Sequence, residues 1–342
     1  MKTVLFYKHG APDVLKTEER PLSEPGTGEV RIQMKTVALN HLDIWVRQGI
    51  PGVPLPMIPG SDGAGVVDKT GEGAHRFKKG DAVIHVPLRV PDDDPLQARD
   101  MENLSPDFKI PGEQVPGTFR EYMCVPERYL LPKPGTLNWE QAAALPLASL
   151  TAYHMLLRKV TINAGETVLI YGASSGVGSA GIQIAKARGA RVITTAGSAE
   201  KEHLALALGA DHVIRYDREP IGKTVKALTR GKGVDVVFEH TGAQTWPESL
   251  RSLKKGGAIV TCGATTGYDV RIDLRALFIK HQRIIGSTMG TLGDMHAVCA
   301  LAEAGKLTPP VGKVFDGLDA TAEAHRWLEN GRQLGKVVIR VV

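Results

Sequence analysis

The eleven residues Val168-Leu169-Ile170-Tyr171-Gly172-Ala173-Ser174-Ser175-Gly176-Val177-Gly178 constrain this chain more than any other segment. An apolar run, Thr167 to Tyr171, ends in a turn rich in glycine. That turn opens directly into a stretch, Val177 to Arg188, with apolar residues at helical spacing. Strand and helix candidates then alternate: Arg191 to Thr195, Ala199 to Leu208, His212 to Arg215, Gly222 to Thr229, Val234 to Glu239, Ser249 to Lys254, Ala258 to Cys262 and Arg283 to Ser287. Short apolar runs separated by helical stretches bury both strand faces, which predicts an α/β fold with a doubly wound parallel sheet of about six strands.

The glycine turn also has a chemical consequence. A pyrophosphate needs close backbone approach and the unpaired N–H groups of a helix N-terminus, and Gly172, Ala173, Ser174, Ser175, Gly176, Val177 and Gly178 offer both. The turn is therefore read as a dinucleotide cradle. Where an NAD-preferring chain carries an acid after the second strand, this one reads Thr194-Thr195-Ala196-Gly197-Ser198-Ala199-Glu200-Lys201. No acid closes the strand. Ser198 is a hydrogen-bond partner and Lys201 a counter-charge for a 2′-phosphate, so the cofactor is expected to be NADPH. Ser198 as a helix cap and Lys201 as a surface charge are compatible with the same sequence.

The first 125 or so residues have a different grammar. Glu29 to Ala38, Gly63 to Thr70 and Asp81 to Val86 are alternating or β-branched runs bounded by turn residues. Pro87 to Gly117 is polar and rich in proline, which predicts an exposed lobe. A helical stretch is expected through Ala142 to Leu157, and the β-rich run Gly335 to Val342 is placed to rejoin the first half. A length of 342 residues fits two domains.

Lys and Arg number 42 against 37 Asp and Glu, a net charge of +5, but the two signs are interleaved, so no nucleic-acid partner is expected. Cys124, Cys262 and Cys299 stand far apart without CxxC spacing, which suits a reducing compartment. The apolar stretch at the N-terminus is too short for a signal peptide, and no run has membrane-spanning length. The expected location is the cytoplasm. His9, His41, His75 and His85 are scattered through the first half and are read as packed or solvated.

Ala38-Leu39-Asn40-His41-Leu42-Asp43, Ile58-Pro59-Gly60-Ser61-Asp62-Gly63-Ala64-Gly65, Lys79-Gly80-Asp81 and the glycine loop follow one another in that order. Together they resemble the medium-chain dehydrogenase/reductase superfamily over essentially the whole chain. The resemblance implies a Rossmann domain, 129–289, inserted into a β-rich GroES-like catalytic domain made of 1–128 and 290–342. It also implies a homodimer or homotetramer, typically formed by edge pairing of the Rossmann sheets.

Zinc alcohol dehydrogenases of that superfamily carry Cys in the first segment and Gly-His-Glu in the second. Here Asn40 stands for the Cys, and Ser61 and Asp62 for the His-Glu pair. An amide and a hydroxyl are poor replacements for those ligands, so no metal is expected. The four structural-zinc cysteines of such relatives map to Pro91, Asp94, Gln97 and Ser105. Asn40 with Asp43 is similar to the quinone oxidoreductase branch, which often has Tyr where this chain has Trp45. By the same resemblance Tyr216 flanks the adenosine phosphate and Lys336 lies near the cofactor phosphates. Asn40 is expected to orient the acceptor or the nicotinamide ribose, and Asp43 to anchor its loop or relay a proton. The resulting expectation is a zinc-independent, NADPH-dependent oxidoreductase acting on a quinone or other conjugated carbonyl. An alcohol dehydrogenase and a non-catalytic NADPH-binding structural or sensing protein stay open as alternatives.

Overall fold

A computed structural model describes residues 1–341; the last residue of the run expected over Gly335 to Val342 lies outside them. The chain divides into two units, one made of Met1–Ala148 with Thr291–Val342 and one of Ser149–Gly290.

The first unit contains, in order, β1 (Lys2–Leu5), β2 (Lys16–Glu19), β3 (Glu29–Ala38), α1 (His41–Gln48), β4 (Asp62–Thr70), β5 (Ala82–His85), β6 (Tyr122–Pro126), β7 (Leu130–Pro132) and α2 (Trp139–Ala144). The division falls within α3 (Pro146–Tyr153). The expected border after residue 128 is therefore too early. Residues 129–148 belong to this unit because β7 pairs with β5 and α2 packs on β3 and β4. The expected single helical stretch over Ala142 to Leu157 is broken at Pro146, which has no N–H to continue the preceding turn. A six-residue π-helix, His154–Lys159, follows α3.

The second unit continues with β8 (Thr167–Ile170), α4 (Gly176–Ala187), β9 (Arg191–Ala196), α5 (Ala199–Ala207), β10 (His212–Arg215), α6 (Ile221–Leu228), β11 (Val234–Glu239), α7 (Trp246–Ser252), β12 (Leu253–Thr261), α8 (Leu274–Ile279) and β13 (Arg283–Gly286). Its six strands are all parallel, in the order β10-β9-β8-β11-β12-β13. This is the doubly wound sheet expected from the alternation. Leu169, Ile193, Ile214, Val237 and Ile259 form its buried core with Tyr171 and Trp246, each aliphatic side chain contributing about 1.5–3 kcal/mol. Helix α7 begins three residues before the expected Ser249 because Pro247 sits in its first turn, where a missing N–H costs nothing.

The chain then returns to the first unit with α9 (Leu292–Glu303), β14 (Val311–Asp316), α10 (Thr321–Glu329) and β15 (Lys336–Arg340). The sheet order is β14-β15-β3-β4-β5-β7, with β6 also on β3. Strand β15 is antiparallel to β3, with Ile339 opposite Val37, so the end of the chain does rejoin the first half. No helix among the described residues is long and apolar enough to cross a membrane.

The lobe between Pro87 and Gly117 is anchored rather than simply exposed. Glu102 is 3% exposed and accepts the Leu292 N–H at 2.5 Å, while Asp100 accepts that of Gly293 at 3.2 Å. Two carboxylates thus meet the positive end of α9. Inside the lobe the four positions matched to structural-zinc cysteines pair with one another. Gln97 Nε2 donates to the Pro91 carbonyl, and Ser105 Oγ donates to Asp94 Oδ2, both at 2.5 Å. Hydrogen bonds close the loop where thiolates close it in zinc-bearing relatives. Glu102→Ala is expected to lower stability by about 1–3 kcal/mol and to open the lobe to limited proteolysis between Pro91 and Lys109; urea titration and mass spectrometry of the fragments check both.

Candidate functional site

Asn40 follows the long strand β3 and directly precedes α1, which places it beside the first residue of β4, Asp62, and the first residue of β15, Lys336. The three side chains form one buried network. Lys336 Nζ donates to Asn40 Oδ1 at 2.6 Å and to Asp62 Oδ2 at 2.9 Å, and Asn40 Nδ2 donates to Asp62 Oδ2 at 2.9 Å. The remaining Asp62 oxygen accepts the Leu147 N–H at 2.8 Å. An ammonium can only donate and a carboxylate can only accept, so the orientation of the Asn40 amide is determined, with one N–H left over. Lys336 is 4% exposed and its ammonium serves Asn40 and Asp62. Lys336, expected near the cofactor phosphates, is part of the Asn40 cluster, where a buried ammonium pairs with the Asp62 carboxylate.

Asp43, 1% exposed, holds the loop around Asn40. Its Oδ2 accepts the Asn40 N–H at 2.7 Å and its Oδ1 the Gly60 N–H at 2.9 Å. Burial pushes its carboxyl up to about 7, against the pull of those two donors and the Lys336 ammonium. Beside it, the Ser61 hydroxyl is buried with no hydrogen-bond partner, while its carbonyl faces His85 Nδ1 at 3.0 Å. The donors at the positions of the zinc ligands are thus an engaged amide, a hydroxyl and an ion-paired carboxylate, a set that does not fit the thiolate and imidazole chemistry of zinc. Among the described residues, no three His, Cys, Asp or Glu side chains gather to hold a metal.

In the second unit, Gly172 has a φ of 63°, and a Cβ there would press on the His240 ring at 3.0 Å. A Cβ on Gly178 would collide with the Gly172 carbonyl. Ser174 is buried, and Ser175 caps α4, its Oγ accepting the Gly178 N–H at 2.9 Å. Ala173 is tied to β9 through its N–H, and the N–H groups of Gly176 and Val177 lie in the first turn of α4, where no intrahelical partner exists. The bare, tightly turned backbone beside β8 and β11 sits where the sheet order reverses, the usual place for a nucleotide in such sheets.

Sequence reading missed His240. Its Nε2 lies 2.9 Å from the Tyr171 carbonyl and 3.4 Å from Ser175 Oγ, and burial keeps the ring neutral by lowering its pKa. Its position just after β11 was the available signal, since ligands gather at the carboxyl ends of such strands. At the end of β9, the Ser198 hydroxyl accepts the Lys201 N–H at 3.3 Å, so Ser198 does cap α5 and retains its own proton. Tyr216, 55% exposed, lies against Gly197 so closely that a Cβ there would collide with the phenol oxygen. Ser198, Lys201 and Tyr216 therefore border one short stretch of backbone.

An Asp43→Asn amide presents an N–H₂ to one of two N–H donors and is expected to cost about 1–3 kcal/mol. Because the folded carboxyl is raised above its unfolded value, its contribution is fully present below about pH 4 and is lost as pH rises through about 7. Urea unfolding at pH 5.5 and 8 is expected to show a larger advantage of wild type over the variant at the lower pH.

The alcohol dehydrogenase GroES-like domain family matches residues 26–135 and the zinc-binding dehydrogenase family matches 176–304. A quinone oxidoreductase of Pseudomonas aeruginosa is 31% identical, over 99% of both chains. Among solved structures, one described as an NAD-dependent alcohol dehydrogenase has a TM-score of 0.96 at 43% identity, with 100% of each chain covered. A 2-octenoyl-CoA carboxylase reductase in complex with NADP and 2-octenoyl-CoA has a TM-score of 0.90 at 31% identity, covering 99% of this chain and 87% of that one. With its parallel six-stranded sheet, its glycine cradle and these relatives, the chain belongs to the medium-chain dehydrogenase/reductase superfamily, in its quinone oxidoreductase-like part, and is an oxidoreductase.

Proposed function

We propose that this chain is a zinc-independent, NADPH-dependent reductase of a quinone or another conjugated carbonyl. The observation that supports this most directly is the Asn40-Asp62-Lys336 network, which puts a clamped carboxamide where zinc-bearing relatives place a thiolate. With no such ligand set to hold a polarising metal, the acceptor must already be electrophilic or be activated by hydrogen bonds. Quinones and enoyl thioesters meet that demand, and the quinone oxidoreductase and the octenoyl-CoA reductase among its relatives are named for them.

Bound NADPH supplies a hydride from C4 of its nicotinamide. The glycine backbone from Gly172 to Gly178 and the first turn of α4 hold the pyrophosphate. Ser198, Lys201 and Tyr216 hold the adenosine 2′-phosphate, and no acid at Gly197 or Ser198 repels it. The free N–H of Asn40 bonds the acceptor oxygen as negative charge develops on it, Asp43 keeps the loop in place, and water supplies the proton. The acceptor gains a hydride and a proton.

Oxidation of NADPH and NADH with 9,10-phenanthrenequinone, 1,4-benzoquinone and 2-octenoyl-CoA, on protein of known metal content, tests this reading. Zinc-free protein is expected to oxidise NADPH with at least one of these acceptors. Asn40→Ala is expected to lower kcat/KM by about 10–1,000-fold, the range for one lost oxyanion donor. Stoichiometric zinc with alcohol-dependent reduction of NAD overturns it, as does zinc-free protein that binds NADPH and turns over none of these acceptors.

A homo-oligomer is proposed on a separate observation. Among the described residues β13 pairs only with β12, and the adjacent α8 exposes Leu274, Phe278 and Ile279 by 62–66%. A second copy pairing along this edge would satisfy the strand and cover the apolar side chains. Phe278→Asp with Ile279→Asp is expected to reduce the mass seen in light scattering to that of one chain.

A further inference from the structure

We infer that Arg215 is a positioning residue for the adenosine 2′-phosphate: it joins the two walls of that site and neutralises the acid that each wall carries. The inference rests on the reading of Ser198, Lys201 and Tyr216 as the residues that hold this phosphate. Ser198 and Lys201 belong to the cap and first turn of α5, whereas Tyr216 stands in the turn that follows β10. Each wall has a carboxylate next to its phosphate-holding residue, since Glu202 follows Lys201 and Asp217 follows Tyr216. Left unpaired, both would repel a phosphate.

Arg215, the last residue of β10, reaches both. Its Nε and Nη2 donate to Asp217 Oδ1 and Oδ2 at 2.8 and 2.7 Å, a bidentate grip that fixes direction as well as distance. Its Nη1 donates to Glu202 Oε2 at 3.1 Å. The Arg215 side chain is 10% exposed, against 36% and 39% for the two acids, so the guanidinium lies beneath them. These bonds hold the Asp217 carboxyl below its usual range, which keeps it charged and paired.

The main chain of Arg215 shapes the same turn. Its carbonyl accepts the N–H groups of Arg218 at 2.8 Å and Glu219 at 3.0 Å, which closes the backbone around Tyr216. On the other wall, the Glu202 N–H donates to the Ser198 carbonyl at 3.0 Å. One guanidinium therefore connects the turn that bears Tyr216 with the helical turn that Ser198 caps. The third acid nearby, Glu219, is occupied by the Thr224 hydroxyl at 2.9 Å.

Binding of adenosine 2′,5′-bisphosphate and of 5′-AMP to the full chain, measured by calorimetry, tests the inference. The two ligands differ only by the 2′-phosphate, so the ratio of their dissociation constants reads that group apart from the adenine and from turnover. Wild type is expected to prefer the bisphosphate, and Lys201→Ala to lose most of that preference. Arg215→Gln is expected to cut the preference by about 5–50-fold while 5′-AMP binds within about twofold of wild type. A purely structural role would weaken both ligands alike. Glu202→Gln, a half-exposed change that keeps an oxygen for Arg215 but removes one acid, is expected to raise the preference by about 2–5-fold. That variant decides the matter even if Arg215→Gln does not fold. No preference in wild type, or an unchanged one in Lys201→Ala, overturns the underlying reading and the inference with it. If Lys201→Ala loses the preference while Arg215→Gln retains it, or Glu202→Gln fails to raise it, the phosphate site stands and the role of Arg215 is overturned.

Discussion

An ammonium and a carboxylate taken out of water repay their desolvation only when every remaining lone pair and proton finds a partner. Lys336 and Asp62 approach that condition through Asn40 and the Leu147 N–H, which engage two of the three ammonium protons and both carboxylate oxygens. The pair also joins chain segments far apart in sequence, because Asn40 follows β3, Asp62 opens β4 and Lys336 opens β15, three neighbouring strands of one sheet. Removing one partner leaves a buried charge alone, a loss of about 3–5 kcal/mol. The same contacts that close the sheet orient the amide proposed to act on the acceptor, so stability and function draw on one set of hydrogen bonds.

The second unit positions its residues by a related device. The Glu239 carboxylate, at the end of β11, is fully buried yet accepts from the Thr241 and Gly242 N–H groups and from the hydroxyls of Thr245 and Ser249. That sets the turn on which His240 stands, and His240 in turn packs against Gly172. The cradle is thus shaped from two sides, by the cap that Ser175 forms on α4 and by an imidazole from the neighbouring strand. Both are neutral hydrogen-bonding groups, so neither opposes the approach of a pyrophosphate.

Periodicity made much of this architecture legible in the sequence. Strand β3 spans Glu29–Ala38 as its alternation predicts, and the parallel order follows from strands separated by helices. Boundaries were less legible where proline acts in two ways. Pro146 breaks an otherwise apolar helical stretch, whereas Pro247 starts a helix earlier than its apolar residues suggest. The lobe between Pro87 and Gly117 reads as surface because its residues are polar, but the partners of Asp100 and Glu102 lie almost two hundred positions away and have no local signature.

The sequence by itself determined what depends on near neighbours: strand and helix periods, the glycine turn, the absence of an acid after β9, and the loss of thiolate and imidazole at Asn40 and Ser61. Tertiary structure alone decided which polar groups meet. It brought Lys336 to Asn40 and Asp62, paired Ser105 with Asp94, set His240 beside Gly172 and laid Arg89 and Arg128 against the Tyr129 ring. The reason is physical. Backbone conformation follows from local sterics and apolar spacing, whereas a buried charge takes its partner from whatever the fold places within about 3 Å, the reach of a hydrogen bond.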